Sequence, residues 1–330
     1  MKVLVTGPDG VLGSNLVREL LSREYEVSVM LLEGAKSPTL DGLNITRFYG
    51  NILNPDTLSE PFKDKDVIIH CAANTSVYPS RNEFVNRVNI EGSQNVIDKV
   101  LEYNIKQLIY VGTANSFGYG SMDAPGIEGN PYASEHYGLD YMDSKQKTQE
   151  LVLKSVKEDG LPAIVVNPTF MIGPYDSTPS SGAMIMAVHN GKVVACPPGG
   201  KNFIAVKDAA IGIANAITMG EIGECYIIGN VNMTYKEAFV MIATTIGAKP
   251  PKMKFGSFMV KFYGSMSSFF ASVFRYTPTL TRQMADVSCD EHYYSPEKAR
   301  RELALPQTPI EDAVKECYKW FGENGLLDKK

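Results

Sequence analysis

Residues 1–20, MKVLVTGPDGVLGSNLVREL, commit the start of this chain to one local architecture. Val3, Leu4 and Val5 make a short aliphatic run of the kind buried in a parallel sheet. Gly7, Gly10 and Gly13 follow at a spacing that permits a tight turn, close approach of a ligand to the backbone, and a helix packed against the strand. Leu12, Leu16 and Leu20 then recur with a period near four, so a helix leaves the turn directly, with Val11 and Leu12 in its first turn. The unpaired N–H groups and positive dipole end of such a helix suit a pyrophosphate. Glycine triplets also occur in ordinary strand-to-helix turns. Here a second aliphatic run, residues 26–32, arrives at the distance a βαβ unit requires.

Further runs at residues 45–48, 67–71, 108–111 and 163–166 alternate with helical patterns. That alternation predicts an α/β fold of Rossmann type: a doubly wound parallel sheet, helices on both faces, and ligands at its carboxyl edge. The pattern loosens after Pro168, where PYDSTPSSG and CPPGGKN read as loops, and from about Tyr235 onward the chain looks mainly helical. Ser295-Pro296-Glu297 and Pro309-Ile310-Glu311 each open a helix. The expected division is a dinucleotide-binding domain over residues 1–175, with a further strand and helix near 202–230, and a smaller, mostly helical substrate lobe over 176–330.

With 330 residues, 44% hydrophobic and 21% charged, the composition is that of a soluble globular protein. A net charge of −5, with no Lys/Arg block longer than two, argues against a nucleic-acid partner and for a small molecule. Five scattered cysteines (Cys71, Cys196, Cys225, Cys289 and Cys317) and four histidines show neither disulfide nor metal-ligand spacing, so no metal is expected. No run reaches the length of an integral membrane segment, and a first strand at Lys2 leaves no room for a leader; the expected location is the cytoplasm.

Tyr141-Met-Asp-Ser-Lys145 places a phenol and an ammonium four residues apart on one helix face. A free phenol has a pKa of about 10, too high for a base at neutral pH, and a nearby ammonium is expected to lower it. The same spacing arises by chance on surface helices. Here the helix follows the run 108–111, which leads into Gly112 and Thr113, so the Thr113 hydroxyl is expected beside Tyr141 at the sheet's carboxyl edge.

These motifs together resemble the extended short-chain dehydrogenase/reductase (NAD-dependent epimerase/dehydratase) family. TGPDGVLG is similar to its TGxxGxxG, HCAAN at 70–74 to its strand-four alanine motif, YMDSK to its YxxxK, the segment Asn89 to Asn95 to a helix behind the site, and Asn167-Pro168 to a dipeptide flanking the nicotinamide. NPTFMIGPYDSTPSSG resembles the branch of dihydroflavonol reductase-like and hopanoid-associated epimerase-like proteins. The resemblance implies catalysis by Thr113, Tyr141 and Lys145. For the cofactor it implies contacts from Gly7, Gly10, Val11, Leu12, Gly13, Glu33, Asn51, Ile52, Cys71, Ala72, Ala73, Asn89, Tyr141, Lys145, Asn167 and Pro168. It also implies a homodimer through helices near 84–103 and 137–157. Gly112 stands where many relatives carry a serine.

The cofactor is NAD or NADP. Glu33 has the spacing of an acid that reads a ribose 2′-OH, which favours NAD, although the strand's last residues are Leu31 and Leu32. The expected reaction moves a hydride between nicotinamide and a small, fairly apolar alcohol or carbonyl, as in dihydroflavonol reductase-like members. A nucleotide-sugar epimerase is the alternative, weakened because residues 170–203 hold no arginine and only Lys192 and Lys201 to clamp a diphosphate. A non-catalytic dinucleotide sensor is the other. Met171, Ile172, Met184 and Met186 are candidate pocket walls. Residues 255–274 set Phe255, Phe258, Met259, Phe262, Tyr263, Met266, Phe269, Phe270, Val273 and Phe274 on one stripe, expected to dock on the core of the small lobe. A lid on an apolar pocket and, with Lys261 and Arg275 as thin support, contact with a membrane surface are the other readings.

Overall fold

Every aliphatic run becomes a strand in the computed structural model, which describes residues 1–274, 276–278 and 280–327. The strands are β1 (Lys2–Thr6), β2 (Glu26–Leu31), β3 (Thr46–Tyr49), β4 (Val67–His70), β5 (Gln107–Val111) and β6 (Ala163–Pro168), joined by β7 (Cys225–Ile228). They form one parallel sheet in the order β7-β6-β5-β4-β1-β2-β3. Val3 pairs with Val27 on one side and Val67 on the other, so the winding direction reverses beside β1. At that point the connections diverge and leave a crevice at the carboxyl ends.

Alternate residues of every strand except the exposed edge strand β3 feed two cores. Val3, Val5, Ile109, Ile164 and Tyr226 face the helices Val11–Ser22 and Val206–Met219, while Leu4, Ile68, Tyr110, Val165 and Ile227 face Gly92–Glu102 and Asp140–Asp159. Burial on both faces is why the strands read as unbroken aliphatic runs. The chain returns to the first core late, through Ala299, Leu303 and Leu305.

A third core brings Ile172, Ile185, Phe203, Ile242, Val314 and Phe321 together between a four-stranded sheet and the helices Tyr235–Ile246 and Ile310–Glu323. Helix Tyr235–Ile246 opens with a reciprocal cap: Thr234 Oγ1 accepts from the Glu237 N–H at 3.2 Å, and the Glu237 carboxylate accepts from the Thr234 N–H at 2.8 Å. Helices Glu297–Glu302 and Ile310–Glu323 start one residue after their prolines, which occupy the caps.

The stripe over residues 255–274 is the largest departure from expectation. It forms the helix Ser257–Phe274, yet its large side chains face solvent, and only Val260, Gly264 and Ala271 are buried. Small residues gave this helix its packing face: a Cβ on Gly264 would lie 2.4 Å from that of Ala285 in the helix Arg282–Val287. Apolar patterning marks the aromatic face but cannot reveal that the protein offers it nothing to cover.

Candidate active site

At the carboxyl edge a cavity of about 760 Å³ is lined by Gly7, Gly10, Val11, Leu12 and Gly13 after β1, by Asn51 and Ile52 after β3, and by Cys71, Ala72 and Ala73 after β4. Thr113, Tyr141, Lys145 and Pro168 close its far end. The first turn is built by glycine of necessity. Gly7 has φ +66° and a Cβ there would sit 2.7 Å from Ala72 Cα, while one on Gly13 would reach 2.2 Å from the Gly7 carbonyl oxygen. Gly10 differs, because its Cβ would meet nothing nearer than 3.8 Å and it lines the cavity. Gly10 is also the cap of helix Val11–Ser22 with no side chain satisfying the first N–H groups. A glycine cradle under unpaired helix donors, in a cavity of this volume, fits the pyrophosphate of a dinucleotide.

The opposite end is assembled by buried polar contacts. Lys145, 4% exposed, donates from Nζ to the Val111 carbonyl at 2.6 Å and lies 4.5 Å from the Tyr110 ring centroid. Burial pushes its pKa down to about 7. Burial also raises the pKa of Tyr141, opposed by a hydrogen bond with Thr113. The expected lowering of the phenol by Lys145 is therefore not the balance here, because both groups are desolvated together. Cys71, raised to about 12 by burial, presents a thiol rather than a thiolate. His70, lowered to about 3 chiefly by burial, is a neutral pin: its ring nitrogens meet Thr6 Oγ1 at 2.8 Å and Ser93 Oγ at 3.0 Å.

Three residues named from sequence stand outside the cavity lining. Asn89 is buried behind it, accepting from the Asn74 N–H at 2.7 Å and donating to Ser144 Oγ at 2.9 Å. Asn167 donates to the Thr113 carbonyl at 3.0 Å and to Gln149 Oε1 at 2.7 Å. Both hold lining segments in place. Glu33 lies on an exposed turn, and Leu31 and Leu32 take the cavity wall beside it. Gly112 acquires a reason too: a Cβ there would lie 2.5 Å from Asn167 Nδ2, so a serine at this position would collide with the amide that holds Thr113.

A second cavity of about 190 Å³ shares Thr113, Tyr141, Pro168 and Thr169 with the first and adds Asn115, Phe170, Lys201, Met284, His292 and Tyr294. Lys201 is lowered to about 8 by burial, and His292, 1% exposed, keeps Nδ1 without a partner. Lys201 was weighed from sequence only as a diphosphate clamp, and its convergence with Asn115 and His292 was not foreseen, since nothing in local spacing joins positions 115, 201 and 292. Of the candidate walls, Met171 lines the larger cavity, whereas Ile172, Met184 and Met186 pack in the third core. Helix Asp140–Asp159 is fixed at its start by Arg81, which donates at 2.8 Å to both Asp140 and Asp143, a pairing the sequence did not reveal.

A parallel sheet wound in this order, with a glycine cradle at one end of its crevice and a tyrosine-lysine pair at the other, defines a dinucleotide-binding enzyme fold. The family model described as NAD dependent epimerase/dehydratase family matches residues 3–229, and the chain belongs to that family. It is 26% identical over 328 residues to a protein of Synechocystis sp. named a dihydroflavonol 4-reductase, covering 98% of this chain and 95% of that one. It is 26% identical over 342 residues to sterol demethylase protein B of Methylococcus capsulatus, covering 99% and 100%. Among solved structures, that of gox2253 aligns with a TM-score of 0.87 at 30% identity, covering 98% of this chain and 99% of that one.

Proposed function

We propose that the protein is an NAD(P)-dependent oxidoreductase acting on a small, fairly apolar alcohol or carbonyl, with residues 1–175 and 202–230 holding cofactor and residues 176–330 shaping the substrate side. The observation that carries this reading is the shared wall. Thr113 and Tyr141 line both the dinucleotide-sized cavity and the smaller one, so a substrate oxygen in the latter meets both hydroxyls at the border. When bound, the nicotinamide supplies or accepts the hydride. In the reducing direction the Tyr141 hydroxyl gives its proton to the substrate oxygen, and the Thr113 hydroxyl donates a hydrogen bond to the same atom. The Lys145 ammonium stabilises the phenolate left behind and holds ribose hydroxyls.

Among the described residues no arginine lines either cavity, which favours this substrate class over a nucleotide sugar. A protein that only senses dinucleotide has no use for the buried, costly Lys145 beside Tyr141. NAD is favoured over NADP, since the wall at Leu31 and Leu32 offers no cation to a 2′-phosphate. Cytoplasmic location and a homodimer through the helices near 84–103 and 137–157 complete the proposal; a solution mass near one chain removes the dimer.

The test follows NADH and NADPH absorbance with panels of aldehydes, ketones and nucleotide sugars. Oxidation of cofactor by a carbonyl is expected, with Tyr141→Phe losing about 10²–10⁴ in turnover while cofactor affinity stays within a few-fold. Conversion of a nucleotide sugar without net cofactor change would make the protein an epimerase, and wild-type turnover by Tyr141→Phe would remove the acid/base role.

A further inference from the structure

Helix Ser257–Phe274 turns its small residues inward and its aromatic ones outward. Phe258, Phe262, Phe269, Phe270 and Phe274 are 82%, 59%, 61%, 43% and 68% exposed. At about 150–250 Å² per aromatic side chain, these five alone present on the order of 600 Å² of apolar surface. That is already the upper end of the largest patch on an ordinary monomer, about 300–600 Å². The remaining methionine, tyrosine and valine positions extend it along a helix of about 27 Å, over an arc of about 160° at about 3.6 residues per turn.

The charge around this face narrows what would cover it. The chain carries a net −5, yet residues 238–285 contain no Asp or Glu and six Lys or Arg. Lys261 on the helix is paired with Asp286 at 3.3 Å. Lys252 and Lys254, on the ribbon that leads into the helix, are exposed and have no ion-pair partner among the described residues. Val194 and Met253 on the same ribbon are also exposed, at 66% and 55%.

We propose that this helix is an interfacial anchor that docks the protein on an anionic lipid surface, its phenylalanines at the headgroup–acyl boundary and the flanking lysines against lipid phosphates. Among the described residues no helix is long and apolar enough to cross a membrane, so the proposed anchor lies in the surface plane. A second copy is the poorer occupant, because face-to-face helices would bring two acid-free basic segments together. The aromatic side chains line neither cavity, which disfavours a lid.

Sedimentation with phosphatidylcholine vesicles, with and without phosphatidylglycerol, tests this on the full chain beside Phe258→Ser/Phe269→Ser and Lys252→Glu/Lys254→Glu variants. All positions are exposed, and an unchanged melting temperature certifies each fold. Binding is expected to require the anionic lipid, to weaken at least about tenfold in the phenylalanine pair, and to lose its salt sensitivity in the lysine pair. A Phe258→Trp probe should shift its emission to the blue on adding vesicles. Absence of vesicle binding would overturn the proposal, as would a solution mass of two chains that falls to one in the phenylalanine pair, which would make the face an interface between copies.

Discussion

On the proposed mechanism, Lys145 is the residue where function and stability oppose each other. Its pKa in the fold, about 7, lies below the 10.5 of an unfolded lysine. Between those values the unfolded chain binds more protons, so stability rises with pH across that window and the full cost of a buried ammonium is present below it. Lys145→Met removes that cost, on the order of 4 kcal/mol, offset by about 2 kcal/mol for orphaning the Val111 carbonyl. The expected variant is inactive yet melts higher at pH 6, with the gain shrinking by pH 9.5; a lower melting point at pH 6 would remove this assignment. Gly112→Ser is expected to cost about 1–3 kcal/mol and to slow turnover, because Asn167 must move and take Thr113 with it. Tyr141 and Lys145 were legible in the sequence because helical spacing is local. The pinning roles of Asn89 and Asn167 were not, since their partners lie at least 15 and 18 residues away, and only the fold brings them together.

At the scale of elements, the proposed function has the turn from β1 into helix Val11–Ser22 and the end of β2 divide the work of holding a dinucleotide. Gly13→Ala places a methyl 2.2 Å from a carbonyl that cannot retreat, so the turn must open. Calorimetric titration should show cofactor affinity down at least about tenfold, in line with about 1.4 kcal/mol per decade. Past β2, Leu32 rather than Glu33 borders the cavity, so Leu32→Arg should move preference toward NADP by about tenfold and Glu33→Arg by much less. A larger effect at Glu33, from the ratio of the two cofactors' dissociation constants, would restore it as the reader of the ribose. The inner strands were legible because burial on both faces leaves an aliphatic run, whereas the edge strand β3, TRFY and largely exposed, was marked only by its spacing. Helix Ser257–Phe274 was legible as a helix but not in its placement, for periodicity tells which residues share a face and is silent on which face meets protein.

For the whole molecule, the family and the doubly wound sheet could be read from five ordered motifs, whereas the smaller cavity could not, being assembled from loops after β5 and β6 and from residues near 201 and 292. Its polar members, Lys201 and His292, are both desolvated, which makes the smaller cavity less uniformly apolar than the methionine-rich sequence around it suggests. Replacing Lys201 with methionine should therefore raise KM for any carbonyl substrate bearing a second oxygen while leaving KM for plain aliphatic aldehydes within about threefold; equal KM values across both sets would show that the ammonium does not face substrate. The order of the sheet also has a temporal meaning. β2 pairs with β1, β3 with β2, β4 with the free side of β1, and then β5, β6 and β7 each with the strand before. Every strand thus finds its neighbour already synthesised, and a chain emerging from the ribosome can lay down its sheet outward from β1 without ever holding a slot open for a segment not yet made.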